Sequence, residues 1–172
     1  YKEYSYSQLF KMIEEEKDSV FELNNTNIVF NGKTDVRFSD YYDKDTIKNK
    51  LQKIVIDKAI ILDNVNFETI LSFDYDIGML YKITFNKSVK FKNVSKIKIE
   101  KCDFKSTFEI INECKDEKNK NSENIFSGNL ITISENVFFD ELNLIINCFN
   151  GHILLKDLNI NKKSKIYISL EK

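Results

Sequence analysis

The carboxylates of Asp74 and Asp76 are the pair in this sequence whose spacing best suits ligand chemistry. They flank Tyr75 directly after an apolar segment, and on an extended chain residues two apart point to the same side. Two carboxylates on one side of a strand suit a cation or the hydroxyl groups of a sugar. The sequence therefore predicts a ligand patch at Asp74, Tyr75 and Asp76. Because the chain contains no Trp, a sugar would have to stack on a tyrosine.

Other catalytic chemistries lack the residues that they need. His152 is the only histidine, which excludes a histidine-based metal site, and it lies beside an apolar strand as an incidental surface residue. Serine nucleophile elbows, Gly-rich phosphate loops and zinc-ligand motifs are missing as well. We therefore assign no catalytic residues, no metal and no cofactor, and the sequence favours a protein that is not an enzyme.

The three cysteines, Cys102, Cys114 and Cys148, are odd in number and show no short metal or redox spacing. Cys102 occupies an apolar position of the repeat described below, which predicts a small buried side chain. Free thiols fit a reducing cytoplasm better than a secreted disulfide framework. No apolar run approaches the ~18 residues of a membrane-spanning helix. We therefore expect a cytoplasmic protein without a membrane partner.

Charge argues against a nucleic-acid partner. The 26 basic and 27 acidic side chains leave a formal net charge of −1, whereas nucleic-acid binders carry a basic excess and DNA mimics an acidic one. Arg37 is the only arginine, and arginine is the side chain suited to bidentate recognition of phosphate and guanine. We expect a protein partner or a second copy of the chain instead.

The elements that must position any site follow from a recurring spacing: apolar, any, apolar, three residues, apolar, any, apolar. It begins at Ile54, Val65, Ile83, Cys102 and Ile131. Short strands with period-2 alternation, separated by three-residue corners, are typical of a β-solenoid. The sequence predicts a mainly β fold, a single-stranded parallel β-helix with about 18–21 residues per coil. An antiparallel β-sandwich remains the alternative, since it also has many short strands.

Alignment of the coils assigns most of the strands from Ile60 onward to one of three positions. The first position is predicted to begin at Val65, Ile83, Cys102, Val137 and Leu158. The second is predicted to begin at Leu71, Val89, Phe108 and Leu142. The third is predicted to begin at Ile60, Ile97, Ile131 and Ile153. First-position strands are then 18, 19, 35 and 21 residues apart, and the long step contains a polar loop insertion.

One domain of residues 1–172 accommodates these coils. Ser5 and Gln8 have the spacing of a capping box, which predicts a short N-terminal helix that ends near Lys17. We assign residues 1–23 to this helix and a first strand that together cap the solenoid. Residues 24–53 form the first coil, with a small inserted helix over Lys44–Lys53, and residues 54–172 form the remaining coils, with the loop insertion at 112–129.

Asparagine is predicted to form the corners. The chain has only four glycines, and Asn tolerates left-handed backbone geometry better than other residues with a side chain. Asn64, Asn93 and Asn136 each precede a Val near the start of a strand. We therefore expect these three residues to have a structural role at corners.

Two segments resemble degenerate members of the pentapeptide-repeat proteins: Ile60-Ile-Leu-Asp-Asn-Val-Asn-Phe67 and Ile97-Lys-Ile-Glu-Lys-Cys-Asp-Phe104. Phe67, Phe91 and Phe104 correspond to the central residues of that pattern, and the resemblance extends over residues 54–170. It implies a right-handed parallel β-helix and, for most members, no enzymatic activity. Some members resemble DNA in shape and charge, a role that the near-zero net charge of this chain does not match.

A non-enzymatic protein-interaction scaffold is the function that these observations favour. The last apolar positions, Ile166, Ile168 and Leu170, have no capping helix after them in the sequence. An uncovered solenoid end exposes unpaired backbone groups and apolar side chains, so we expect these residues to contact a protein partner or a second copy. A carbohydrate-binding or polysaccharide-acting β-helix that uses the Asp74–Asp76 patch is the alternative.

Overall fold

The computed structural model of the protein describes residues 2–31, 54–73, 83–113, 129–149 and 151–170. The first part contains β1 (Lys2–Ser5), α1 (Tyr6–Glu15) and β2 (Val20–Val29). The second and third parts contain β3 (Ile54–Ile56), β4 (Ala59–Phe67), β5 (Leu71–Phe73), β6 (Ile83–Phe85), β7 (Val89–Val94), β8 (Ile97–Glu100) and β9 (Cys102–Asn112). The last two contain β10 (Asn129–Ser134), β11 (Val137–Phe149), β12 (Gly151–Leu155), β13 (Leu158–Ile160) and β14 (Lys165–Leu170). The predicted inserted helix over Lys44–Lys53 lies outside the described residues.

Every strand pairing within the described residues is parallel. One sheet has the order β1-β2-β4-β7-β9-β11-β13. In the same sheet β14 pairs with β11, and β6 pairs with both β3 and β9. A second sheet has the order β12-β10-β8-β5. This mainly β arrangement is consistent with a parallel β-solenoid, and the antiparallel sandwich is wrong.

The predicted strand positions are wrong for the coil of residues 54–73. Ile54 rather than Val65 pairs with Ile83, and Ile60 pairs with Val89. The reason is Asn64, whose φ of 57° bends β4 without ending it, so Val65 stays on the strand that begins at Ala59. From Ile83 onward the register follows the predicted positions.

Asparagines form one corner column, as expected. Asn25, Asn64 and Asn93 have φ values of 50°, 57° and 52°, in the left-handed region that Asn tolerates. Asn64 Nδ2 donates a hydrogen bond to Asn25 Oδ1 at 2.7 Å, and Asn93 Oδ1 accepts one from Glu113 N at 2.9 Å. The third predicted corner residue, Asn136, also has a positive φ, of 56°. All three predicted asparagines have the expected positive φ, but Lys96, Lys101, Glu135 and Asp157 have one as well, so asparagine is not the only residue in this conformation.

Helix α1 begins at the predicted capping box. Ser5 Oγ accepts a hydrogen bond from Gln8 N at 3.2 Å, and Gln8 Oε1 accepts one from Ser5 N at 2.7 Å. The helix ends at Glu15, two residues earlier than predicted. At that end Lys58 Nζ donates hydrogen bonds to the carbonyl oxygens of Glu14 and Glu16, groups that a helix terminus leaves without intrahelical partners.

The buried face of α1 carries Tyr6, Leu9, Phe10 and Ile13, and these side chains belong to the single apolar core cluster of the described residues. Below them, inward side chains stack in register from coil to coil. One such ladder consists of Phe21, Ile60, Val89, Phe108 and Leu142. Parallel stacking therefore builds the core from side chains that are far apart in the sequence.

An aromatic stack forms the centre of this core. The ring of Phe104 is parallel to those of Phe85 and Phe139, with interplanar angles of 7° and 4° and centroid distances of 4.8 and 5.2 Å.

Asn112 is the polar exception: it is buried at the end of β9, and neither its Oδ1 nor its Nδ2 has a hydrogen-bond partner in the described structure. In register it lies beside the buried Ile146.

Candidate functional site: the C-terminal coil

In the last described coil, formed by β12, β13 and β14, side chains are exposed at positions whose register equivalents in the preceding coil are buried. Ile166 lies in register with Leu144 and Ile168 with Ile146, and both earlier residues are fully buried. Ile166 itself is 49% exposed and Ile168 37% exposed. The backbone of the third predicted residue, Leu170, is in register with Phe149. Its side chain lies outside the described residues.

We call the inward apolar side chains of this coil the C-terminal rung: Ile153, Leu155, Leu158, Ile160, Ile166 and Ile168. A concavity of about 420 Å³ lies among Gly151, His152, Ile153, Leu155 and Ile168. Within the described structure β12 pairs only with β10, and both β13 and β14 pair only with β11. Among the described strands, one edge of each of these three has no pairing partner, and such an edge can donate and accept backbone hydrogen bonds with another chain.

The rim of the C-terminal rung is basic. Residues 151–170 contain Lys156, Lys162, Lys163 and Lys165 against the single carboxylate of Asp157. All of these side chains are exposed. Residues 2–31 at the other end contain three lysines against six carboxylates. The two ends of the described structure therefore differ in the sign of their charge.

The remaining predicted site residues do not form a site within the described structure. Asp74, Tyr75 and Asp76 lie outside the described residues, so the ligand patch stays a prediction. His152 is exposed, as expected, at the edge of the concavity of the last coil. Cys102 is fully buried and its thiol contacts the carbonyl oxygen of Glu100, which confirms its packing role. No group of three His, Cys, Asp or Glu side chains within the described ranges is placed to hold a metal ion.

Sequence reasoning missed residues at the end of the solenoid and on its outer face. Ile160, which is 39% exposed, belongs to the same rung as Ile166 and Ile168. The sequence could have indicated this residue, because Ile160 lies on the strand from Leu158 that is the last one predicted for the first position. Phe138, also 39% exposed, lies between the buried Val137 and Phe139 at an outward position. A large aromatic side chain where the alternation calls for a polar one could have indicated a surface site.

Asp140 lies two residues after Phe138, and among the described groups it is the one whose pKa departs clearly from its ordinary value. Hydrogen bonds from Lys162 and Asn161 lower the pKa of this partly buried carboxyl below its usual value. The Lys162 Nζ to Asp140 Oδ2 distance is 3.1 Å, and Asn161 Nδ2 lies 3.2 Å from Oδ1. The carboxylate is therefore ionised and held by two partners from the last coil.

Comparison of the chain with protein families, with curated proteins and with solved structures gave no match. None of the helices that the structure describes is long and apolar enough to cross a membrane. The function must therefore be argued from the geometry of the described residues.

Proposed function

We propose that this protein is a non-enzymatic interaction scaffold that pairs with a second copy of itself through the C-terminal rung. The observation that carries the proposal is the contrast in exposure along one ladder. Leu144 and Ile146 are fully buried, whereas Ile166 and Ile168, one coil further, are 49% and 37% exposed. Soluble solenoids protect such ends, because an uncovered end exposes both apolar surface and unpaired strand edges.

The opposite end of the molecule supports a second C-terminal rung as the occupant. There, we propose, α1 acts as a cap: its apolar face is buried, and its other side presents Gln8, Lys11, Glu14 and Glu15 to solvent. A polar helix surface offers no apolar complement to the C-terminal rung, so head-to-tail stacking is disfavoured. A twofold contact instead places the same apolar side chains against one another and closes the assembly as a dimer.

The expected dimer is weak. Full burial of an isoleucine contributes about 1.5–3 kcal/mol, so covering the exposed fractions of Ile160, Ile166 and Ile168 on both copies contributes roughly 4–8 kcal/mol. Association itself costs about 4–15 kcal/mol. Backbone hydrogen bonds between the two β14 edges, each worth about 0.5–1.5 kcal/mol, must therefore supply the net affinity. We expect a dimer that dissociates on dilution through the micromolar range.

The salt dependence of dimerisation distinguishes a twofold contact from a head-to-tail contact. Lys162 is paired with Asp140, so a twofold contact brings the other three rim lysines, Lys156, Lys163 and Lys165, towards those of the second copy. The dimer should therefore strengthen as salt shortens the Debye length from about 10 Å at 0.1 M to about 3 Å at 1 M. A head-to-tail contact would instead join the basic rim to the acidic first part of the chain, and salt would weaken it.

The test is light scattering on a sizing column over a wide range of protein concentration, at low and high salt. The wild type should shift from monomer to dimer with concentration, and Ile168→Lys should remain monomeric because it places a charge in each half of the contact. Ile70→Lys is the matched control, since Ile70 is an isoleucine of similar exposure, 41%, outside the rung. It should dimerise like the wild type.

Three results would contradict the proposal: a wild type that stays monomeric up to its solubility limit, an Ile168→Lys variant that still dimerises, or a dimer that salt dissociates. Circular dichroism of each variant checks that its fold is retained. The resemblance to the pentapeptide-repeat proteins, most of which are not enzymes, supports the scaffold role. The cytoplasmic location predicted from the free cysteines is part of the same proposal.

A further inference from the structure

A groove of about 390 Å³ lies on the outside of the solenoid, where β9, β11 and β13 run side by side. We call it the corner groove; Phe104, Phe139 and Ile160 line it together with six residues at outward positions, Asp103, Lys105, Phe138, Asp140, Asn159 and Asn161. Phe138 is in register with Asp103 on one neighbouring strand and with Asn159 on the other. Neighbouring strands are about 4.8 Å apart, so a half-exposed aromatic ring has a carboxylate on one side and an amide on the other.

The corner groove is balanced in charge. Lys105 Nζ lies 3.0 Å from Asp103 Oδ2, and Lys162 Nζ lies 3.1 Å from Asp140 Oδ2. Each carboxylate therefore has an ammonium group beside it, which removes the electrostatic attraction for a free cation or a free anion. What remains is a surface with many hydrogen-bond donors and acceptors around one apolar ring.

Several hydrogen bonds hold the polar side of the groove in place. Asn161 Nδ2 donates to Asp140 Oδ1 at 3.2 Å, and the backbone N–H of Asn161 donates to the carbonyl oxygen of Phe139 at 2.9 Å. The backbone N–H of Lys162 donates to the carbonyl oxygen of Asp140 at 2.8 Å. A ligand that binds there meets groups that are already ordered, so binding costs less conformational entropy.

From these observations we propose that the corner groove binds a neutral carbohydrate, with one sugar ring stacked on Phe138. A sugar has a face of C–H groups that suits an aromatic ring, and a rim of hydroxyl groups that both donate and accept hydrogen bonds. Asp103, Asp140 and Asn159 are placed to bond those hydroxyls. The volume of about 390 Å³ is at the low end of the 300–1,000 Å³ of ligand pockets, which favours one or two sugar rings.

This site goes beyond the proposed dimer contact: Ile160 lines the groove and also belongs to the C-terminal rung, but Phe138 and the carboxylates are outside the rung, and Ile168 is outside the groove. It also differs from the Asp74–Asp76 patch, which lies outside the described residues. The two proposals can therefore fail separately. Ile168→Lys should abolish dimerisation and leave sugar binding unchanged, whereas Phe138→Ala should do the reverse.

The experiment is saturation-transfer NMR and calorimetry on the full chain with a fixed set of probes. The neutral probes are the methyl glycosides of glucose, galactose, mannose and N-acetylglucosamine, with their disaccharides. The charged probes are glucuronic acid, glucosamine and calcium chloride. We expect saturable binding of at least one neutral probe with a Kd of about 1 mM or tighter, and preference for it over every charged probe.

Variants then locate the bound sugar. Phe138→Ala should weaken binding at least about tenfold, a factor that corresponds to about 1.4 kcal/mol, whereas Phe138→Tyr keeps a ring and should stay within about threefold of the wild type. Asp103→Asn should also weaken binding, because it removes an ionised acceptor. Phe30→Ala is the control: Phe30 is an exposed phenylalanine, at 49%, near the other end of the solenoid, and its loss should change nothing.

The proposal is overturned if no neutral probe binds saturably, if a charged probe is preferred, or if Phe138→Ala binds as tightly as the wild type. If the fold itself requires the Phe138 ring, Phe138→Ala will have a lower free energy of unfolding than the wild type. Phe138→Tyr and Asp103→Asn keep the test decisive in that case, since neither leaves a cavity.

Discussion

Removal of the Phe104 ring tests the coil register directly. Phe104 is 3% exposed and stacks on Phe85 and Phe139, which come from the coils before and after it. A third ring, that of Phe108, lies at a centroid distance of 4.4 Å. If the register is as described, Phe104→Ala leaves a cavity between three coils at once.

The expected cost is large relative to the stability of a domain. A buried Phe→Ala substitution lowers the free energy of unfolding by about 3–5 kcal/mol, while domains of this kind have about 5–15 kcal/mol in total. For a chain of 150–250 residues each kcal/mol corresponds to about 2–4 °C in Tm, so we expect a decrease of roughly 6–20 °C. Phe104→Leu restores most of the volume and loses the ring contacts, so it should lie between wild type and Phe104→Ala.

The assay is thermal unfolding followed by circular dichroism, with urea unfolding as a second measurement. Phe30→Ala serves as the matched control, because Phe30 is 49% exposed and exposed substitutions change stability by about 0.5 kcal/mol or less. Equal effects of Phe104→Ala and Phe30→Ala would refute the reasoning, since Phe104 could not then lie between three coils.

Two further predictions concern asparagines in unusual positions. Asn64→Gly and Asn64→Ala both lose the hydrogen bond to Asn25, but only the alanine variant also incurs the cost of a φ of 57°. In urea unfolding, Asn64→Ala should therefore be less stable than Asn64→Gly by about 1–2 kcal/mol. Equal stability of the two variants would contradict the backbone geometry at Asn64. Asn112→Leu should raise Tm, because it replaces a buried amide without partners in the described structure by an apolar side chain beside Ile146, and a buried unpaired polar group costs about 1–3 kcal/mol. A lower Tm for Asn112→Leu would mean that the amide has a stabilising contact.

Local features could be predicted from the sequence because neighbouring residues decide them. The Ser5–Gln8 spacing places the start of α1 correctly, since a capping box is completed within four residues. Asn93 and Asn136 have the expected positive φ because the cost of that conformation depends on the residue itself. The burial of Cys102 follows from its place in a period-2 pattern.

The candidate sites could be predicted only in part. Ile166 and Ile168 were named from their apolar alternation, and the structure leaves them 49% and 37% exposed, while their role as a contact surface stays a prediction. The predicted first-position column of Cys102, Val137 and Leu158 already places Asp103, Phe138 and Asn159 side by side, although they are 35 and 21 residues apart, but Phe138 was not among the predicted site residues. The sequence does not show that Lys105 and Lys162 lie beside Asp103 and Asp140, because those contacts depend on side-chain conformation in the folded structure.

The sequence by itself determined which residues of the strands face inward and where the first helix begins. These properties depend on backbone sterics and on alternation over a few residues. The tertiary structure alone decided which strands are neighbours in the coil of residues 54–73, whereas from Ile83 onward the repeat spacing had already aligned them. At Asn64 the chain bends without leaving its strand, so Val65 pairs with Val94 and the whole coil of residues 54–73 shifts by one position relative to simple counting. Pairing depends on the path of the whole coil and on the loops between strands, and a short repeat does not encode that path.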